Sequence, residues 1–319
     1  TLFRSDGGQQ DVIDYTVHPE TGYLDTAVIN GTTYFYAVTA LDTAGNESGF
    51  SDMVSATPRG PMALHVSVGG DDDSGDGSEE NPFATIQAGI DASSNGDTVL
   101  VYAGTYYERL NVSNKTITII GENKNTTILD AENVGRAIYN SCNEPTNFEI
   151  HNLTIMNGGN SVNGSALNLI AVESALINNC IIRKNTANNS ISHVDNSTVQ
   201  IKHTLIANNT CTNSSNSYGA IVTYGGTTLT LDQVTVAYNV RGGLLSHESG
   251  STHTVRNSIF WNPSANEEIG RRTIGSTMNL SYVITSHVME GCSSSDEYNC
   301  SEMFTFDPLF TDSDNGDYT

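Results

Sequence analysis

Hydrophobic and polar positions between residues 148 and 285 follow one short phrase that occurs six times. Each phrase alternates apolar and polar residues, turns at two polar residues and then alternates again. The apolar residue before each turn recurs at intervals of 24 to 30 residues, in the series Ile150, Ile177, Ile201, Leu231, Val255 and Leu280. A repeat of this length, built from strand-forming residues, predicts a solenoid in which each copy forms one coil stacked on the next.

The alternation assigns an inward face to each strand, because successive side chains of a strand point to opposite sides. Two further columns of apolar or small residues follow the anchor column. The first reads Leu153, Cys180, Thr204, Val234, Ser258 and Val283, and the second reads Ile155, Ile182, Ile206, Val236, Phe260 and Thr285. Three stacked columns bent around a corner predict two parallel sheets that meet at an angle.

The second residue of each polar corner is also patterned. The series is Asn152, Asn179, His203, Gln233, Asn257 and Tyr282. Asn tolerates left-handed backbone angles, and its amide can bond the equivalent residue of the next coil. The sequence therefore predicts left-handed corners and a partial ladder of side-chain hydrogen bonds, which His203 and Tyr282 interrupt.

Each coil also has a third strand, seen in the segments 165–170, 218–223 and 242–246. With this strand the repeat resembles the right-handed parallel β-helix, the fold of pectate lyases and many secreted repeat proteins. The run from Asn81 to Tyr106 is similar to the opening of secreted β-helix proteins, and segments 306–310 and 312–318 look like their closing segment, cut short. The resemblance implies an all-β fold class and a secreted, extracellular or cell-surface location.

A short helix is expected where the solenoid begins. Asn81 is a helix cap and Pro82 suits the first helical position. Phe83, Ile86 and Ile90 follow at spacings of three and four residues, which gives one apolar face. We expect this helix to cover the open end of the β-helix, which would otherwise expose its core.

Residues 1–58 form a different module. Segment 30–42 alternates as a strand, residues 44–49 are rich in turn-forming residues, and segment 50–57 reads as a last strand. This module resembles the second half of a fibronectin type III domain, a truncated β-sandwich. We predict three parts: the partial domain at 1–58, a linker at 59–63, and the β-helix at 64–319, truncated at its C-terminus, within a longer multidomain chain.

The amino-acid composition limits the classes of molecule that the protein can bind. The net charge is −23, from 36 acidic and 13 basic residues, so the surface repels phosphate backbones and nucleic-acid binding is excluded. No apolar run approaches the ~18 residues of a membrane-spanning helix. Among the five cysteines, Cys180 falls in an inward column, whereas Cys292 and Cys300 bracket a polar loop and are candidates for a local disulfide outside the cytosol.

Few side chains form a recognisable catalytic set. A lyase for acidic sugars needs a base, and Arg183, Lys184, Arg241 and His247 are weak candidates near the third-strand surface. The competing interpretation, that they are solvated surface residues, is favoured because isolated charges on a repeat face are ordinary. Paired carboxylates of the glycosidase type are not evident in the repeats.

Calcium is the cofactor that the sequence suggests. Asp71, Asp73 and Asp76 place oxygen donors around Gly75, and Asp312, Asp314 and Asp317 repeat the pattern around Gly316. Calcium prefers such oxygen ligands, and glycine permits the tight turn. Read from Asp72, the first loop has Phe83 at the twelfth position in place of the bidentate Glu of a full calcium loop, so an acidic turn without a metal remains the alternative.

These observations predict an extracellular β-helix protein that binds carbohydrate, or is structural or adhesive, without catalysis. The polar outer faces suit sugar hydroxyls, and the expected partner is a polysaccharide or cell-surface glycan. The protein itself is expected to be monomeric. The acidic surface favours a neutral glycan, because an acidic polymer would need bridging cations. The alternative is a polysaccharide lyase or glycoside hydrolase acting on an extracellular polysaccharide.

Overall fold

A computed structural model describes residues 1–7, 11–14, 25–159, 161–213, 219–265, 267–272, 275–286 and 298–310. The chain divides into two compact units, Thr1–Pro61 and Met62–Thr319. Within the described residues, no helix has the length and apolar character needed to cross a membrane.

The first unit is a four-stranded antiparallel sheet in the order β2-β1-β3-β4. Its strands are β1 (Leu2–Ser5), β2 (Asp11–Asp14), β3 (Tyr34–Val38) and β4 (Val54–Ala56). Tyr34 and Ala37 are buried, whereas Phe35, Val54 and several other large apolar residues are exposed. One sheet with so little covered apolar surface has only a small core of its own.

The second unit is a parallel β-helix with three sheets, which confirms the fold class. The first sheet contains β5 (Ala63–Val66), β6 (Thr98–Val101), β9 (Ile117–Gly121), β12 (Asn147–His151), β15 (Ser174–Asn178), β18 (Thr198–Lys202) and β22 (Thr228–Asp232). The second contains β7 (Gly104–Tyr107), β10 (Thr127–Asp130), β13 (Thr154–Met156), β16 (Ile181–Arg183), β19 (Leu205–Ala207) and β23 (Thr235–Ala237). Three long strands, β25 (Thr252–Trp261), β27 (Thr277–Thr285) and β28 (Tyr298–Phe304), belong to both sheets and join them.

The third sheet completes each coil. It contains β8 (Leu110–Asn111), β11 (Ile138–Ser141), β14 (Ser161–Ile170), β17 (Thr186–Asp195), β21 (Gly219–Tyr224), β24 (Leu244–Ser246) and β26 (Ile269–Arg271), with β20 (Thr210–Cys211) beside β17. Sequential coils pair in parallel, so that each residue lies beside its equivalent one coil away. Side chains at equivalent positions therefore stack along the solenoid axis.

The three predicted inward columns form the core. All eighteen residues are at most 2% exposed. The predicted corners are confirmed as well, because all six corner residues have a positive φ, between 48° and 59°. The predicted ladder at this corner is limited, and its Asn–Asn hydrogen bond joins Asn179 Nδ2 to Asn152 Oδ1 at 2.8 Å.

The capping helix exists, but it begins later than predicted. Helix α1 spans Ile86–Ala92, and its N-cap is Thr85, whose hydroxyl accepts a hydrogen bond from the Ala88 N–H. Phe83 cannot be helical, because its backbone bonds to β5 on both sides, at His65 O and at the Ser67 N–H. Ile86 and Ile90 are fully buried against the first coil, as the apolar spacing predicts.

Candidate functional site

The outer face of the third sheet carries an unusual set of side chains. Inward residues of its strands, such as Leu169 and Val194, belong to the core, so the residues between them face outward. We call the outward set the third-sheet surface. It consists of Tyr139, Asn168, His193, Asp195, Tyr224 and His247, with Val222 and Leu245 in the row of His193 and with Arg136 and Glu248 at its margins.

Three aromatic rings stack across three neighbouring coils of this surface. The centroids of His193 and Tyr224 are 4.9 Å apart, with the rings inclined at 44°. Tyr224 and His247 are also 4.9 Å apart, with the rings inclined at 28°. Strand pairing brings these residues together, since β21 lies between β17 and β24. His193 is only 7% exposed although it faces outward. Burial first, and then the charges of Arg136 and His247, lower the pKa of His193 to about 4.

Two carboxylates lie at the end of the stack where the third sheet turns into the first. Asp195 pairs in register with Tyr224 and accepts a hydrogen bond from Asn196 Nδ2 at 3.0 Å. Glu248 Oε2 accepts from the Gly225 N–H at 3.2 Å. Burial, and then the negative charge of Glu248, raise the pKa of the Asp195 carboxyl. Such an acid keeps its proton at a higher pH than an ordinary Asp.

The opposite margin is cationic. The Arg136 guanidinium lies over the Tyr139 ring, 5.6 Å from its centroid. Arg136 Nε donates to the Asn163 carbonyl oxygen at 3.0 Å, and Asn168 Nδ2 donates to the same oxygen at 3.4 Å. Asn168 Oδ1 and His193 Nδ1, from paired residues of neighbouring strands, are shielded from solvent and have no hydrogen-bond partner among the described residues. The third-sheet surface therefore runs from a held cation, past two unpaired polar atoms, to two carboxylates.

A second stack of polar residues is buried at the corner between the second and third sheets. We call it the asparagine ladder, and it comprises Asn185, Asn209, Asn239, Asn262 and Glu268. Each Asn Nδ2 donates to the Oδ1 of the next Asn at 2.8–3.1 Å, and Asn262 Nδ2 donates to Glu268 Oε2 at 2.6 Å. The Oδ1 atoms also accept backbone N–H groups of the turns. This set holds the corner together.

A third polar chain follows the corner between the first and second sheets. Glu149 contacts His151 at 3.0 Å, and Asn178 bridges His151 to His203, at 3.3 Å and 2.9 Å. Its members bond to one another across three coils. We interpret this chain as structural, which agrees with the predicted corner role of His203.

The structure separates the predicted catalytic residues. Arg183 ends β16 on the second sheet, and Lys184 follows it as an exposed corner residue with φ of 56°. Arg241 lies in the turn before β24, whereas His247 directly follows β24 and stacks on Tyr224. A strand therefore stands between Arg241 and His247. Only His247 belongs to the third-sheet surface, and a catalytic role for the other three stays a prediction without geometric support.

In the acidic loop 71–80, carboxylates accept hydrogen bonds from backbone N–H groups of the same loop. Asp71 Oδ1 accepts from the Asp73 and Ser74 N–H groups, and Asp76 Oδ1 accepts from the Ser78 N–H. The described part of the chain has no group of three or more His, Cys, Asp or Glu side chains arranged to hold a metal. Calcium binding at Asp71, Asp73 and Asp76 stays a prediction, and the second loop, 312–317, lies outside the described residues.

The cysteines divide into two kinds. Cys142, Cys180 and Cys211 are free and buried, as the inward column predicts for Cys180. Cys300 is disulfide-bonded. The proposed partner, Cys292, lies outside the described residues.

Comparisons with known proteins find similar solved structures, all at low sequence identity. No family model matches the chain, and none of the curated proteins matches its sequence. One similar solved structure is a rhamnogalacturonan lyase, 12% identical over 70% of this chain and 68% of that one, with a TM-score of 0.48. Another is a pectin methylesterase from Aspergillus niger, 14% identical over 80% and 83%, with a TM-score of 0.31. A third is a lacto-N-biosidase from Eubacterium ramulus, 10% identical over 77% and 68%, with a TM-score of 0.28. Likeness at this level does not extend to function, and the fold rests on the strand pairing itself.

Two features of the site could have been found in the sequence. His193, Tyr224 and His247 are about one coil length apart, which places them on neighbouring coils. Asn185, Asn209 and Asn239 each stand three residues after a member of the last apolar column, namely Ile182, Ile206 and Val236. Sequence reasoning missed both, because Asn-rich loops hide a regular Asn and the first half of β17 is a run of polar residues.

Proposed function

We propose that this protein is an extracellular or cell-surface β-helix protein that binds polysaccharide through the third-sheet surface, without catalysis. The observation that carries the proposal is the stack of His193, Tyr224 and His247, which ends at Asp195 and Glu248. Aromatic side chains with a polar group suit surfaces that bind partly apolar, partly polar ligands. Carboxylates accept hydrogen bonds from sugar hydroxyls.

The scaffold supports binding of an extended chain. The stacked rings lie on or directly after strands of one sheet, and sites built on strands hold their geometry better than sites on loops. Successive coils are spaced by about 4.8 Å, so the surface repeats along the solenoid axis. In this proposal the first unit, interpreted as part of a fibronectin type III domain, acts as a spacer.

The test is polymer binding by a variant that removes the central ring. Tyr224→Ala removes the ring that contacts both histidines, and we expect affinity to fall roughly tenfold to a hundredfold. Affinity electrophoresis in gels with neutral glycans, rhamnogalacturonan, pectate or alginate, with and without calcium, measures retardation. Tyr107→Ala is the matched control, because Tyr107 lies on the second sheet and is 66% exposed.

Two results would count against this proposal. Equal loss of binding in Tyr224→Ala and Tyr107→Ala would show that the effect is not located on the third-sheet surface. Absence of retardation in every gel would favour the structural or adhesive interpretation.

One observation favours catalysis as a second candidate function. The raised pKa of Asp195 beside Glu248 is what a proton donor in glycoside hydrolysis needs. If the protein is a hydrolase, reducing ends will accumulate and Asp195→Asn will abolish their release while keeping polymer binding. A lyase would instead release unsaturated uronides, which absorb in the ultraviolet. Retention without either product supports the non-catalytic proposal.

A further inference from the structure

Arg136 is a cation that the third-sheet surface holds in place without neutralising it. Its Nε bonds to a backbone carbonyl and its plane lies over Tyr139. Among the described residues, no carboxylate forms an ion pair with it, in a chain with 36 acidic residues. By contrast, Arg256 and Arg272 pair with carboxylates at 2.8 Å and 2.7 Å.

Unpaired polar atoms lie beside this cation. Asn168 is 2% exposed and His193 is 7% exposed, yet in the part of the chain that the structure describes Asn168 Oδ1 and His193 Nδ1 have no hydrogen-bond partner. Buried polar atoms are nearly always paired in folded proteins, and these two lie in register on paired strands, next to Arg136. Both atoms are shielded from solvent, so a sugar hydroxyl pairs with them only after side chains in this row move aside.

Charge differs along the surface in a way that selects the ligand. Asp195 lies one strand beyond Asn168, and Glu248 contacts the turn after β21, one strand further still. A carboxylate is attracted at Arg136 and repelled at Asp195 and Glu248, which lie roughly 10 Å or more along the axis at the coil spacing. A polymer with a carboxylate on every sugar would place one against these acids.

We infer that the third-sheet surface binds a polysaccharide in which uronic acids are separated by neutral sugars, with one uronate carboxylate held by the Arg136 guanidinium. The planar guanidinium matches a carboxylate in a bidentate geometry. The neutral sugars then lie along the rings of His193 and Tyr224 toward Asp195. This inference rests on the proposed function and names its ligand class, and it replaces the neutral glycan that the overall charge favours.

The experiment compares polymers before and after chemical reduction of their carboxylates to alcohols. The probes are rhamnogalacturonan and hyaluronan, in which uronates alternate with neutral sugars, and polygalacturonate, in which every sugar carries a carboxylate. We expect the protein to bind the alternating polymers about tenfold more tightly than their reduced forms, the range of one charge-assisted contact. Arg136→Gln removes this preference, and Arg136→Lys retains part of it.

Lys202→Gln is the matched control, since it removes the same charge from the first sheet. It should keep the full preference for the native polymer. Equal binding of native and reduced polymers, lost in Tyr224→Ala but unchanged in Arg136→Gln, overturns the inference and leaves the proposed binding surface intact. Tighter binding of polygalacturonate than of the alternating polymers also overturns it. Absence of binding to all forms overturns both. Circular dichroism of each variant confirms folding.

Discussion

The asparagine ladder and the third-sheet surface are both stacks of polar side chains that run across neighbouring coils, but they treat their polar atoms differently. In the ladder, every Asn bonds to the next, and Glu268 closes the end. On the third-sheet surface, no described residue forms a hydrogen bond with Asn168 Oδ1 or His193 Nδ1. A stack of paired side chains stabilises the coil. Buried polar atoms without hydrogen bonds lower the free energy of unfolding, and no other contact that the structure describes offsets that loss.

The difference separates structural from functional polarity in a solenoid. Repetition alone produces stacked polar side chains, since each coil repeats the backbone positions of the last. A regular, fully bonded stack is therefore explained by packing. Irregular members, such as His193 in a row that continues as Val222 and Leu245, are not required by the repeat. These positions are where a function is to be sought.

The largest effect is expected from breaking the ladder. Asn209→Ala removes donors to Asn239 Oδ1 and the Ile182 carbonyl, and it removes the acceptor of the Asn185 N–H. Because these partners stay buried and lose their hydrogen bonds, we expect the free energy of unfolding to fall by about 4 kcal/mol. Urea denaturation followed by circular dichroism measures the change.

Asn188→Ala is the control for that change, because Asn188 lies on β17, in the coil next to that of Asn209, and its side chain is exposed. It should alter stability by less than ~0.5 kcal/mol. A loss in Asn209→Ala no greater than the control's would mean that the ladder does not stabilise the corner.

A pH-dependent effect is expected from a histidine inside the solenoid. His253 is fully buried, its Nε2 lies 2.8 Å from Thr223 Oγ1, and burial lowers its pKa to about 4. In the unfolded state the His253 imidazole becomes protonated below about pH 6.5, whereas in the folded state it stays neutral until the pH nears 4. Stability is therefore complete above pH 6.5, is lost as the pH falls toward 4, and changes no further below 4. The loss is on the order of 3 kcal/mol.

His253→Met tests this effect with a side chain that the next coil already uses, since Met278 pairs with His253. The measurement is the difference in unfolding free energy between variant and wild type from pH 7 to pH 4, which cancels the titration of shared carboxylates. As the pH falls below 6.5, the free energy of unfolding of the variant should rise steadily relative to that of the wild type. A constant difference over this range would show that His253 is not held neutral.

The sequence predicted the regular part of the molecule well. The three inward columns and the left-handed corners follow from a strict alternation of apolar and polar residues, which burial enforces at every coil. The predicted start of helix α1 was wrong. Asn81 and Pro82 are residues that favour a helix start, but backbone hydrogen bonds to β5 hold Phe83 in an extended segment. Long-range pairing decided that boundary against local preference.

The candidate site was largely missed for the same physical reason. Strand β17 contains Asn188, Asn189 and Ser190 before His193, so its composition reads as a loop. Its strand character comes from pairing with β14 and β21, which one sequence does not display. Arg241 and His247 are close in sequence, but the strand between them keeps them apart.

The smallest effect is the one that separates the two stacks most clearly. His193→Leu removes the unpaired Nδ1 and introduces the residue that Leu245 supplies in the same row, while the ring contact with Tyr224 is lost. The gain outweighs the lost contact, so we expect an increase of about 1 kcal/mol in the free energy of unfolding together with weaker polymer binding. His247→Leu is the control, because it also removes a ring from Tyr224 but leaves a half-buried position, and it should not stabilise. Urea denaturation at pH 7 and affinity electrophoresis on the same samples give both values. A loss of stability in His193→Leu comparable to that of Asn209→Ala would make the third-sheet surface a second structural ladder, and the site would have to be sought elsewhere.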